Sequence, residues 1–382
     1  MRIAFKTEIN PNNKQQTAFI RHAGTPRHAW NWGLSITLGI LEHNKANPNK
    51  KIKFPTGIDL HKWLVALVKP ENPWYYESSK SAPQNALRNL AIAWKRCFKK
   101  VSKQPRFKKK GRGDSFTLDG SISLEPFRVK LPRIGWVRTS ERLPNNIKPK
   151  SVTISRQADR WFISFSFEVE PMSTPKTVNV VGVDLGVKSL ATLSTGEVFE
   201  GAKSYRKLES KLSRLQWLNR RKIKGSVNGQ KAQLKIAKLH KRSADIRKDT
   251  LHKLTTYLAK NHSQIVIEDL NVSGMMANRK LAKAIGDMGF YEFRRQLEYK
   301  SKLYGSELIV VSRWEPSTKR CSNCGHLKDS MLLSERVYQC ENCGISLDRD
   351  LNAAKNLASM AGSLPVSACG LDGADTPRMK QE

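Results

Sequence analysis

Acidic residues are scarce in this chain. Its 382 residues hold 33 Asp and Glu against 68 Lys and Arg, a formal net charge of +35 at pH 7. Such an imbalance repels itself inside a compact fold and calls for a polyanionic partner. Long apolar runs are also missing: no stretch reaches the roughly 18 residues that suggest a membrane-spanning helix. The first residues show no signal peptide. Nucleic acid is therefore a better partner than a membrane, and basic residues spread along the whole chain point to a long groove rather than one tail. Cysteine is sparse, six in all, and unevenly placed. Cys97 and Cys369 stand alone, while the others pair as Cys321/Cys324 and Cys340/Cys343. That spacing points to metal and away from a disulfide framework. An apolar fraction of 39% is low but enough for packed cores, which excludes a disordered chain. No tandem repeat is present.

The organisation follows from periodicity. Residues 1–9 alternate apolar and polar side chains and predict a strand. Apolar residues at helical spacing then run to about Lys100, interrupted at Pro55 and in KPENPWYY. From Ser115 to Glu170 short strands alternate with turns, as in a small barrel or sandwich. The first strand joins it, which makes the helices an insertion. After a linker, PMSTPKT, a second fold begins at Val178 with three strands in VNVVGVDLGVKSLATLSTGEVFEG. A basic helical stretch follows from about Lys203 to Lys260, broken near GSVNG. Then come a buried strand, QIVIEDL, a helix around YEFRRQLEYKSKLYG, and a strand, SELIVVSRW. The cysteine pairs and a short helix, DRDLNAAKNLASM, close the fold, and the last twenty or so residues read as a disordered tail.

Two CxxC turns fifteen residues apart, Cys321/Cys324 and Cys340/Cys343, suit the tetrahedral sulfur cage of a structural Zn²⁺. Gly325 and Gly344 follow each pair, where such a knuckle turns sharply. His326 is expected in solvent, because four thiolates already fill the site. Among the carboxylates, Asp184 and Glu268 each end an apolar strand, and Asp348 and Asp350 open the last helix. A buried carboxylate at a strand end is costly unless paired or bound to a cation. Three such acids brought together would form a hard oxygen site for Mg²⁺ or Mn²⁺. Singly, each has a plainer reading: a turn cap at Asp184, an arginine partner for Glu268, a helix N-cap at Asp348 or Asp350.

Between Lys95 and Arg112 lie ten Lys and Arg, no acid, and the aromatics Phe98 and Phe107. In so basic a chain this run is expected to track phosphates, with Arg106, Lys108, Lys109 and Lys110 as candidate contacts and aromatics available for stacking. Trp30, Trp32 and Trp94 sit at helical spacing and read as core.

GVDLGVKSLATLS, IVIEDLNV, YEFRRQLEYKS, EPSTKRCSNCGH and CENCGISLDRDLNAAKNL resemble, in order and spacing, the signatures of the TnpB (OrfB) proteins of bacterial insertion sequences, relatives of the type V CRISPR effectors. The N-terminal half resembles them more loosely, through RHAWNWGL, ALRNLAIAWKRCF and PRFKKKGR. The resemblance implies an RNA-guided DNA endonuclease with one RuvC-type site, catalytic acids at Asp184, Glu268 and Asp350, and Asp348 as the lesser alternative to Asp350. It also implies two catalytic ions of Mg²⁺ or Mn²⁺, one structural Zn²⁺, a guide RNA from the same element, double-stranded target DNA, and a place near the nucleoid in bacterial or archaeal cytoplasm. The fold expected is α+β and multidomain. A wedge-like β-barrel at 1–172 carries a helical recognition insertion at about 11–112. An RNase H-like (RuvC) α/β domain at 178–314 and 347–361 carries a zinc ribbon at 315–346, and the tail is 362–382. Two rivals stay open: a transposase that itself joins strands, and a nucleic-acid-binding regulator without catalysis.

Overall fold

The computed structural model describes residues 1–362 except Asn146 and Leu333. The expected tail, with Cys369, lies outside the described residues, apart from Gly362, which ends a 3-10 turn, Met360–Gly362. The described residues form two compact units, Arg2–Val169 and 170–362.

In chain order the first unit runs β1 (Arg2–Asn10), α1 (Asn13–Ala46), α2 (Gly57–Trp63), α3 (Ser81–Phe98), β2 (Ser115–Asp119), β3 (Ser123–Glu125), β4 (Arg128–Leu131), β5 (Gly135–Thr139), β6 (Ser151–Gln157) and β7 (Arg160–Glu168). β1 pairs antiparallel with β7 from Arg2↔Glu168 to Ile9↔Trp161 and touches β5 at its end. The chain between β1 and β2 is thus an insertion in the sheet. The capping box of Asn12 and Gln15 satisfies the first amides of α1, and α1 then continues through Pro26. Leu34, Leu60, Leu64, Leu87, Leu90 and Trp94 give the helices a core of their own. Trp30 shares it, and Trp32, partly buried, packs against it.

The sheet order is β2-β6-β7-β1-β5-β4-β3, over one apolar face that Phe19 of α1 joins. No ladder joins β2 to β3 among the described residues, so the expected barrel stands as an open seven-stranded sheet. Pro126 directly follows the edge strand β3, where it donates nothing to a ladder.

The second unit runs β8 (Val178–Asp184), β9 (Ala191–Leu193), β10 (Val198–Phe199), α4 (Ser204–Arg220), α5 (Val227–Asn261), β11 (His262–Glu268), α6 (Val272–Ala277), α7 (Ala282–Met288), α8 (Phe290–Tyr304), β12 (Glu307–Val311), β13 (Val337–Gln339), β14 (Ser346–Asp348) and α9 (Arg349–Ser359). Its five-stranded sheet has the order β10-β9-β8-β11-β12; β8, β11 and β12 are parallel and β9 is antiparallel to β8. Strand alternation sorts the side chains. Val181, Val183, Ile265 and Ile267 face Leu254, Leu258, Phe293 and Leu297 of α5 and α8. Val266, Ile309 and Val311 face Leu357 of α9. The segment read as a linker is bound down. Met172 N–H donates to the Leu303 carbonyl, and Lys176 Nζ donates to the carbonyls of Ala259 and Tyr304 at 2.7 and 2.8 Å. These carbonyls belong to the last turns of α5 and α8, where helices leave acceptors unpaired.

Candidate active site and cysteine cluster

β8 and β11 are paired in parallel up to Val183↔Ile267. The next residue on each strand is an acid, Asp184 and Glu268. Alternation turns both toward the face that α9 covers. The third acid arrives there through Gly182. A Cβ at Gly182 would lie 2.0 Å from the Ala354 carbonyl oxygen and 2.5 Å from the Ala358 nitrogen, so only glycine lets the α9 backbone rest on β8. Asp184 is two residues beyond Gly182, and Asp350 is one helical turn before Ala354. The three acids therefore share one end of the sheet.

Their electrostatics show the crowding. Asp184 keeps some solvent contact, yet its pKa is pushed up to about 7, by burial first, then by Asp350 and Glu268, against the pull of Arg349. Burial and then Asp269 raise Glu268. Asp269 itself is neutralised: against its burial, the guanidinium groups of Arg313 and Arg294 hold it below the usual carboxylate range. Sequence reasoning missed this arginine pair, of which Arg313 also pulls on Glu268, less than burial and Asp269 push it up. Asp350 lies 3.5 Å from Arg349. Asp348 has another task, for its Oδ1 accepts from the amides of Asp350 and Leu351 at 2.9 and 3.1 Å and caps α9.

Carboxylates crowded around the buried Asp184 are hard oxygen donors whose charge a divalent cation would neutralise. Among the described residues, they are not drawn into a tight single-ion group; the cysteines are.

The four thiols lie within 4.8 Å of one another, with Cys321–Cys343 and Cys324–Cys340 sulfur separations of 3.6 Å. Four sulfurs at about 2.3 Å from one tetrahedral ion would stand about 3.8 Å apart, close to the spacing of these two pairs, so the set fits a metal. Each knuckle closes alike: Gly325 N–H donates to the Cys321 carbonyl and Gly344 N–H to the Cys340 carbonyl, both at 3.0 Å. Both glycines have positive φ, 75° and 71°, the left-handed turn anticipated for them. Amide donors favour thiolate: the His326 backbone and the Asn342 side chain lower Cys324 to about 6. His326 is half-buried rather than in solvent, and outside the cluster.

Two buried amides of α9 join knuckle and helix. Asn352 Oδ1 accepts from Ser322 N–H at 2.9 Å, and its Nδ2 donates to the Arg320 carbonyl at 2.7 Å. Asn356 Nδ2 donates to the carbonyls of Ser317 and Arg320, each at 2.7 Å. The sequence placed both asparagines on the last helix but carried no signal of their partners.

In the first unit residues 103–109 of the basic run form an extended strap along α1. Trp30 Nε1 donates to the Arg106 carbonyl at 2.9 Å, and the Asn31 amide pairs with both N–H and C=O of Lys108 at 2.7 and 3.0 Å. The Lys108 ammonium sits 4.1 Å from the centre of the Trp30 ring. Arg106, Lys109 and Lys110 are exposed. Lys108 and Lys110 line a groove of about 840 Å³ with Arg21, Arg27, Trp32 and Trp74. Lys109 is not among its lining residues. Charge counting located the strap but not the tryptophans beside it.

Residues 164–279 match the family model OrfB_IS605, described as "Probable transposase", and residues 290–357 match "Cas12f1-like, TNB domain". Residues 1–45 match a "Helix-turn-helix domain" model, although here they form β1 and nearly all of the unbroken helix α1. The "Putative RNA-guided DNA endonuclease InsQ" of Escherichia coli (strain K12) is 37% identical over 96% of this chain and 94% of its own length. A "Putative RNA-guided DNA endonuclease" of Streptomyces pristinaespiralis is 37% identical over 96% of this chain and 90% of its own length. In fold, the chain resembles the protein in a solved Cas12f1-sgRNA-target DNA complex, with a TM-score of 0.56 at 15% identity over 89% of this chain and 82% of that one.

Proposed function

This chain belongs to the TnpB (OrfB) family of insertion-sequence proteins, and from that premise we propose that it is an RNA-guided DNA endonuclease with a single RuvC-type site at Asp184, Glu268 and Asp350. The observation that carries the site assignment is the seating of α9 on Gly182, which sets an acid of the helix beside two acids at adjacent parallel strand ends. The sheet order, with the second strand antiparallel to the first and the fourth and fifth parallel to it, supports the RNase H-like reading of 178–314 and 347–361. The knuckles support a zinc ribbon at 315–346 with one structural Zn²⁺ on Cys321, Cys324, Cys340 and Cys343. Two ions of Mg²⁺ or Mn²⁺, held by Asp184, Glu268 and Asp350, would supply activated water and charge neutralisation at the phosphate.

The chain's own residues do the placing. Asp184 and Glu268 present carboxylates from rigid strand ends, and Asp350 presents one from a capped helix. Asp269 takes up Arg294 and Arg313. Asp348 holds the first turn of α9 rather than an ion. In the N-terminal unit, Arg106, Lys108, Lys109 and Lys110 on their strap are the proposed phosphate contacts for guide RNA or target DNA, and 1–172 is the wedge-like lobe with its helical insertion at about 11–112. The guide comes from the same element and selects double-stranded target DNA by pairing. The site of action is nucleoid DNA in the cytoplasm. No described helix is long and apolar enough to cross a membrane.

Sequencing the RNA that co-purifies from cells carrying the element supplies the guide. Cleavage of a matched duplex is then measured with Mg²⁺ and with excess chelator, for wild type and Asp184→Ala. Cutting that needs Mg²⁺ and vanishes in Asp184→Ala, with RNA binding retained, is expected. Full cleavage by Asp184→Ala, or by wild type in chelator, overturns the proposal.

A further inference from the structure

The structure assigns Asn352 and Asn356 the role of positioning residues that couple the cysteine cluster to the acid rim through α9. Both lie on one face of the helix, four residues apart, and are 0% and 2% exposed. Asparagine is a poor residue for a helix interior, and a buried amide without partners is costly. These two have partners, which flank a single metal ligand. Asn352 grips the peptide groups on both sides of Cys321, namely the Arg320 carbonyl and the Ser322 amide, and Asn356 adds a second bond to the Arg320 carbonyl.

Elsewhere on α9, Ala354 and Ala358 meet Gly182 of β8, and Leu357 enters the core. The helix is held between the knuckle and the strand that ends in Asp184. Its cap, Asp348, is the last residue of β14 and pairs with Val337 in the small ribbon sheet. Asp350 lies between that cap and Asn352. The position of its first helical turn is thus set on both sides by the ribbon.

A metal on the four sulfurs fixes residues 320–322. Without it, Asn352 loses its anchor and the first turn of α9 is released from the rim. Coupling of this kind is reciprocal: each site strengthens the other by the same factor. The acid-rim half of the inference rests on the nuclease reading above; the link from knuckle to α9 does not.

The test uses the full chain with its bound RNA. Co²⁺ in place of the cysteine-bound metal reports the tetrathiolate site by its visible absorption. Mn²⁺ titration reports the acid rim, with Asp350→Ala as the control. Amide hydrogen exchange across 350–354 reports α9. Asn352→Ala is expected to keep the Co²⁺ spectrum and the RNA, weaken Mn²⁺ by about 10-fold or more, and speed exchange. Stripping the cysteine-bound metal from wild type should speed the same amides, with little further effect in Asn352→Ala. If Asn352→Ala fails to fold, Asn356→Ala, which keeps both Asn352 bonds, should show the same changes more weakly. Unchanged Mn²⁺ affinity and unchanged exchange in a folded variant that keeps its Co²⁺ spectrum would overturn the coupling. If wild type shows no Mn²⁺ site that depends on Asp350 but metal stripping still speeds exchange in α9, the nuclease reading fails and the coupling stands.

Discussion

Replacing Asp184 by Asn should make the metal-free protein more stable while making it inactive. The carboxyl is enclosed and faces Asp350 and Glu268, which with burial raise its pKa from 3.8 to about 7. That rise corresponds to at most about 4 kcal/mol of native-state cost when the group is ionised. A raised acid pKa favours folding below the unfolded value, and the advantage is lost as pH rises through the folded one. Wild type in chelator should therefore lose stability between about pH 4 and pH 7 relative to Asp184→Asn, which carries no charge at any of these pH values. Denaturant unfolding at pH 8 in chelator should favour the variant by about 2–4 kcal/mol, and the gap should close near pH 4. Mg²⁺ should raise the stability of wild type and leave the variant unmoved, because the amide keeps the shape but not the charge. Cleavage by the variant should be absent throughout. A variant no more stable than wild type at pH 8, or a gap indifferent to acidification, would refute the reasoning.

Other consequences can be measured in the same way. Cys321→Ser should release one equivalent of zinc, read by elemental analysis, and destabilise the second unit, since metal binding here is part of folding; folded wild type without zinc would contradict this. Asp350→Ala should abolish cleavage, whereas Asp348→Ala should retain it at a loss of about 1 kcal/mol for the missing cap; the reverse pattern would exchange their roles. Gly182→Ala should cost more than about 3 kcal/mol in a melt, because its Cβ would strike the α9 backbone. Neutralising Lys108, Lys109 and Lys110 together should weaken nucleic-acid binding and lower the log–log salt slope by about one for each phosphate no longer neutralised; an unchanged slope would leave them a solvated face.

What could be read in the sequence was what local pattern carries. The strands ending at Asp184 and Glu268 announce themselves by apolar runs, and the knuckles by spacing and the glycines after them. Asp348 and Asp350 both suit a helix start, and only the amides that Asp348 accepts from decide which is the cap. The rest depends on partners distant in the chain. Asn352 and Asn356 answer to residues some thirty and forty positions upstream, Asp269 to arginines on α8 and beyond β12, and Lys108 to Trp30. Alternating strands say nothing of whether the outermost two meet, so a barrel was expected where the ladders end at β2 and β3. Trp32 packs against the helical core and also lines the groove, a double role that helical spacing alone does not announce.

The pairing of β1 with β7 has a consequence for how the chain acquires its fold. Residues 2–9 find their partners only at 161–168, so β1 waits on the ribosome for some 150 residues of synthesis, about 8–30 s at ordinary elongation rates. Through that interval its backbone donors and acceptors are an open edge, the kind that recruits the wrong strand. The helices of the insertion, by contrast, bury their own core among residues nearer in sequence and are free to form first. Once they have, they bring the flanks of the insertion closer and shorten the loop that β1 and β7 must close. In-frame deletions within 11–112 should then act on the yield of folded protein during translation as well as on the finished molecule.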